Sequence, residues 1–122
     1  MAQAYYNRGN AYSNKGKLDK AIADFNQALQ INPQYAQVYY NRGVTYYKKG
    51  ELKQAIADFN QALQINPQFA AAYANRGVAY FTLGNKQKAI QDFQKAAKLF
   101  AEQGNTANQQ AVLEVLKQLQ QD

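Results

Sequence analysis

Cysteine and histidine are both missing from this 122-residue sequence. Without cysteine there is no disulfide framework, no thiol nucleophile and no thiolate metal site, and nothing marks a redox compartment. Without histidine the usual general base near neutral pH and a common metal ligand are gone as well. Serine occurs once, at Ser13, with no acid–base partner suggested by the pattern. The longest unbroken apolar run is Phe69 to Ala74, far short of the roughly 20 residues a spanning helix needs. Met1 leads straight into a patterned segment with no basic, apolar or cleavage region, so no targeting peptide is expected. Phosphate-loop and dinucleotide-loop glycine patterns are absent too, and the acids are scattered. The expectation is a soluble chain, cytoplasmic rather than secreted, that is not an enzyme and holds no metal or cofactor.

What the sequence does have is a period. Shifted by 34 residues, Ala2 to Tyr35 matches Ala36 to Phe69 at 25 of 34 positions, and a third copy runs from Ala70 to Gln103. Such self-similarity has to be read before any fold is assigned. Within each copy two helical patterns follow one another. Tyr5, Gly9 and Tyr12 share one face at i, i+4, i+7, as do Tyr39, Gly43 and Tyr46; Ile22, Phe25 and Leu29 form the facing stripe of the second helix. Gly9, Gly43 and Gly77 sit mid-helix at a cost of about 1 kcal/mol each, which predicts close approach of the paired helix. Gly16, Gly50 and Gly84 fall where a left-handed residue ends the first helix. Pro33 and Pro67 separate one copy from the next.

Aromatic, Gly, Tyr, Ala, Phe, Ala and Pro at these places (Tyr5, Gly9, Tyr12, Ala21, Phe25, Ala28 and Pro33 in the first copy) resemble the tetratricopeptide repeat. The resemblance covers Ala2 to Gln103. It implies an all-α, right-handed superhelical solenoid of three helix-turn-helix repeats, at 2–35, 36–69 and 70–103, within a single domain spanning 1–122. Copy three departs from the pattern: Ala101 replaces the proline, so its second helix should run to about Gln103, and Lys86 stands where Leu18 and Leu52 stood. After Gly104, Asn105 or Thr106 can start a seventh helix over 105–121, with Thr106 and Gln109 able to form a capping box. Ala111, Val112, Val115, Leu116 and Leu119 supply its apolar face, and its polar remainder suits a solvating cap.

Opposite the packed face of the first helix lie Gln3, Asn7, Asn10 and Asn14; copy two offers Gln37, Asn41, Val44 and Lys48, and copy three Ala71, Asn75, Val78 and Thr82. Tyr6, Tyr40, Tyr47 and Phe81 flank them. The resemblance makes this face a concave peptide groove, with Asn7, Asn41 and Asn75 as a ladder of amides suited to a peptide backbone. The aromatic flank serves either as anchors for a partner or as packing between repeats. Family members that grip chaperone carboxylate tails use Asn at two groove places and basic residues at three. Asn10 and Asn41 match, but Tyr6, Ala71 and Asn75 occupy the basic places, which argues against that ligand.

The net charge is +6. Arg8, Arg42 and Arg76 are expected to pair with Asp24, Asp58 and Asp92 inside each repeat, which leaves the excess on a rim of lysines around the turns. That rim shows no aromatic interleaving of the kind nucleic-acid sites use, so nucleic acid is disfavoured. The expected function is a protein-interaction scaffold that binds a peptide segment. The alternatives are a self-associating module through an uncapped first repeat, giving a homo-oligomer, and a basic adaptor for nucleic acid or anionic membrane.

Overall fold

In the computed structural model, which describes residues 1–121, the described residues form seven helices: α1 (Ala2–Asn14), α2 (Leu18–Ile31), α3 (Ala36–Lys48), α4 (Leu52–Ile65), α5 (Ala70–Thr82), α6 (Lys86–Glu102) and α7 (Thr106–Gln121). They fall into two compact units, Met1–Pro67 and Gln68–Asp122. The fold is all-α. In the first unit α1 pairs with α2 and α3 with α4, and α2 lies against α3; in the second α6 packs against both α5 and α7.

Each hairpin is set by one aromatic and one glycine. Phe25 and Phe59 are fully or almost fully buried, Phe93 nearly so. A Cβ on Gly9 would lie 2.7 Å from Phe25 Cε1, one on Gly43 2.8 Å from Phe59 Cε1, and one on Gly77 3.0 Å from Phe93 Cε1. The mid-helix glycines are therefore the seats of the three phenylalanine rings. Alanines at 21, 28, 55, 62, 89 and 96 keep the helices close around them.

The turns inside the repeats share one geometry. Gly16, Gly50 and Gly84 have φ of +79°, +82° and +90°. In the first turn the Lys17 amide donates to the Tyr12 carbonyl at 2.9 Å and the Gly16 amide to Ser13 at 3.0 Å, which satisfies carbonyls the helix end would otherwise leave bare. α2 and α4 end differently: Asn32 and Asn66 turn extended (φ −135° and −129°) ahead of Pro33 and Pro67, as the residue before proline must. Freed of that proline, α6 runs 17 residues against 14 for α2 and α4. It ends at Glu102, two residues before Gly104, which is left-handed at φ +73°.

At the start of α7 the side chain of Asn105, not Thr106, accepts the first free amide, from Asn108 at 3.2 Å. Thr106 is already inside the helix, so the expected Thr106–Gln109 box does not form. Val112, Leu116 and Leu119 of α7 then join Phe93, Ala96, Leu99 and Phe100 of α6 in one buried cluster.

Candidate functional site

In each repeat an arginine of the first helix grips an aspartate of the second. Arg8 donates from Nε and Nη2 to the two Asp24 oxygens, both at 2.8 Å. Arg42 holds Asp58 the same way at 2.8 Å, and Arg76 holds Asp92 at 2.9 and 2.7 Å. Two tyrosine rings flank each guanidinium: Tyr5 and Tyr12, Tyr39 and Tyr46, Tyr73 and Tyr80, at 5.3–5.9 Å from the centroids. The Arg8 guanidinium is held above its ordinary pKa chiefly by the hydrogen bond to Asp24. Burial pushes the Asp58 carboxyl up, against the pull of the Arg42 bonds and charge. Two parallel bonds in each pair add directional specificity to the charge attraction. Each of these arginines is thus matched by a carboxylate of its own repeat.

A polar seam joins α1 and α3. Asn41 Nδ2 donates to Asn10 Oδ1 and, at 3.3 Å, to the Tyr6 hydroxyl, while Gln37 Nε2 donates to Asn41 Oδ1 at 3.0 Å. The amide contact in this unit thus joins Asn41 to Asn10, 31 residues away, rather than to Asn7. Helical side chains lean toward the N-terminus, and the place where two helices meet depends on how they cross as well as on the repeat. Asn7 is exposed, as are Gln3, Asn14 and Lys48; Val44 is half-buried.

One turn further along, Thr45 Oγ1 donates to the Asn41 carbonyl at 2.8 Å and lies 3.1 Å from Ser13 Oγ, and Lys48 Nζ reaches Ser13 Oγ at 3.4 Å. A hydroxyl has one proton. Since Thr45 directs its own at the Asn41 carbonyl, Ser13 donates to Thr45 and accepts from Lys48, a one-way chain from ammonium to backbone. The sequence marked Ser13 only as a lone serine and did not mark Thr45, because neither residue recurs in the other copies.

The flanking aromatics divide. The Tyr6 ring lies 5.3 Å from Tyr35 and 6.4 Å from Phe25, and Tyr40 lies 5.9 Å from Phe59; burial pushes the Tyr40 phenol up. These rings, like the half-buried Tyr47, have much of their area inside the fold. Phe81 is different, at 50% exposed. In the second unit Val78 and Phe81 of α5, Phe93 of α6, and Val115, Gln118 and Leu119 of α7 line a groove of about 300 Å³. Asn75 on α5 is half-buried and has an interaction partner.

The tetratricopeptide profile matches residues 9–50 and 45–84 as a TPR repeat and residues 70–102 as a tetratricopeptide repeat. The chain belongs to the tetratricopeptide repeat family. No curated protein sequence matches it significantly. Among solved structures it is similar to MamA, at 32% identity over 85% of this chain with a TM-score of 0.82; the chain spans 61% of that MamA chain. The first TPR of Spaghetti (RPAP3), bound to the HSP90 peptide SRMEEVD, aligns at 26% identity over 95% of this chain and 93% of its own, TM-score 0.80. The TPR2B domain of yeast Sti1, in a complex with pHsp70, shares the fold at TM-score 0.92 over 98% and 96% of the two chains, with 23% identity. Among the described residues no cluster of acidic side chains could hold a metal, and no helix is long and apolar enough to cross a membrane.

Proposed function

We propose that this tetratricopeptide repeat protein is an interaction scaffold whose α1–α3 face, the concave groove expected from the sequence, receives a peptide segment of a partner. The observation that carries the reading is the Asn10–Asn41 pair, whose amides are fixed by Tyr6 and Gln37 and stand beside the exposed amides of Gln3, Asn7 and Asn14. Fixed amides offer a donor and an acceptor to an extended backbone without first having to be ordered. The peptide-bound RPAP3 domain supports the reading by likeness of fold. In the second unit the groove around Phe81 suits an apolar side chain. The missing basic residues at Tyr6, Ala71 and Asn75 count against a chaperone carboxylate tail as the ligand.

Twelve-residue peptides selected by display against the whole protein should bind near micromolar, about 8 kcal/mol. Asn41→Ala should weaken peptides held on the α1–α3 face about tenfold, and Phe81→Ala those held in the α5–α7 groove, as loss of a single hot-spot contact does. Phe81 is a cleaner probe than Tyr40, whose ring also packs on Phe59. Unchanged affinity of Asn41→Ala with a native circular dichroism spectrum would remove the α1–α3 face from consideration, and the same result for Phe81→Ala would remove the α5–α7 groove. Binding of SRMEEVD as tight as that of the selected peptides would overturn the exclusion of carboxylate tails.

A further inference from the structure

The face of α1 that carries Met1, Ala4, Tyr5, Arg8 and Lys15 recurs 34 residues later on α3 as Tyr35, Val38, Tyr39, Arg42 and Lys49. On α3 the structure shows what this face binds. α2 lies across it, and Val38 is fully buried in a cluster with Ala28 and Leu29. Asn26 Oδ1 accepts from Arg42 Nη1 at 2.7 Å, and Asp19 Oδ1 sits 2.7 Å from Lys49 Nζ. A carboxylate and an amide about two turns apart on one helix meet a matching pair of cations about two turns apart on the other.

The same cations stand on α1 facing solvent. The Arg8 side chain is 60% exposed where Arg42 is 20%, and Lys15 is exposed. Arg8 directs Nε and Nη2 to Asp24 as Arg42 directs them to Asp58; Nη1 is the atom that on Arg42 reaches the neighbouring helix. Beside it Met1, Ala4, Tyr5 and Arg8 line a groove of about 290 Å³. Ala4 takes the place of the larger Val38, leaving room for a bulkier apolar side chain than α2 supplies.

We propose that this face of α1 docks an amphipathic helix of a separate protein, one that carries Asp and Asn in the α2 register beside an Ala/Leu stripe. None of α2, α4 and α6 supplies that helix. Asp19 and Asn26 are already engaged by α3; α4 has Lys53 in place of the aspartate, with Asn60 already partnered; α6 has Gln87 and Gln94. No α2, α4 or α6 of a second copy therefore offers a free Asp–Asn pair. The site lies apart from the Asn10–Asn41 pair and stands independently of the peptide reading.

The test uses a fluorescent synthetic peptide with the sequence of residues 17–34, titrated into the whole protein and followed by anisotropy. Saturable one-to-one binding is expected, weakened about fivefold when the peptide carries D19K, the scale of an exposed ion pair. Lys15→Asp in the protein should restore the D19K peptide and weaken the unmodified one. Peptides selected on the α1–α3 face should not compete. Absence of saturation up to millimolar peptide overturns the proposal, as does indifference to the charge swap. A mass that rises with concentration for the chain alone, reversed by Lys15→Asp, would assign the face to self-association instead.

Discussion

Two residue types at the same offset decide how each hairpin closes. The arginine meets its aspartate 16 positions on, and the glycine meets its phenylalanine 16 positions on. Replacing Gly43 with alanine gains about 1 kcal/mol of helix propensity, but its methyl would lie 2.8 Å from Phe59 Cε1 and 3.2 Å from the Ala55 carbonyl oxygen. Backbone cannot step aside as a flexible side chain can, and overpacking of this kind costs about 1–3 kcal/mol. Gly43→Ala should therefore lower stability in urea melts, and by more than Gly77→Ala, whose nearest contacts begin at 3.0 Å and are all side-chain atoms. Equal or higher stability for Gly43→Ala would mean that the ring shifts freely. Glycine and phenylalanine were both legible in the sequence, because contacts closed within a repeat recur at every copy. Ser13 and Thr45 were not. They meet between copies, at positions where the repeat is broken by Tyr47 and Phe81 on one side and by Ala11 and Ala79 on the other, so only the crossing of α1 and α3 brings them together.

The helix ends were largely written in the chain. Glycine after the first helix of each repeat and proline after the second in the first two copies place the turns, and the lost proline of copy three lengthens α6 as the pattern implied. The start of α7 was legible only to within one residue, since both Asn105 and Thr106 can cap and the outcome depends on where α6 stops. Asn105→Ala should cost about 1 kcal/mol, the usual worth of a cap, and should raise amide exchange in the first turn of α7 ahead of the rest of the helix. Thr106→Ala should change little. If the two substitutions cost the same, the threonine hydroxyl shares the capping role. The apolar groove between α5 and α7 was not anticipated as a unit: Val115 was read as part of the face of α7 that packs, yet it is 41% exposed and turned toward Phe81.

At the scale of the whole molecule the formal charge of +6 is carried by lysines, because each of the three repeat arginines is tied to an aspartate. A partner held by amides and an aromatic groove should lose less than about threefold in affinity between 50 and 300 mM salt, since screening acts mainly on exposed, separated charges. A steep loss over that range, measured with the display-selected peptides, would move the binding site to the lysine rim. The 34-residue period has a further result for how such a molecule changes in length. Both ties that close a hairpin, ionic and steric, begin and end inside one repeat, so an additional copy brings the means to close its own hairpin. A single residue added to the turn displaces both ties together. Length in this architecture is therefore quantised: it can change by whole repeats far more readily than by single residues.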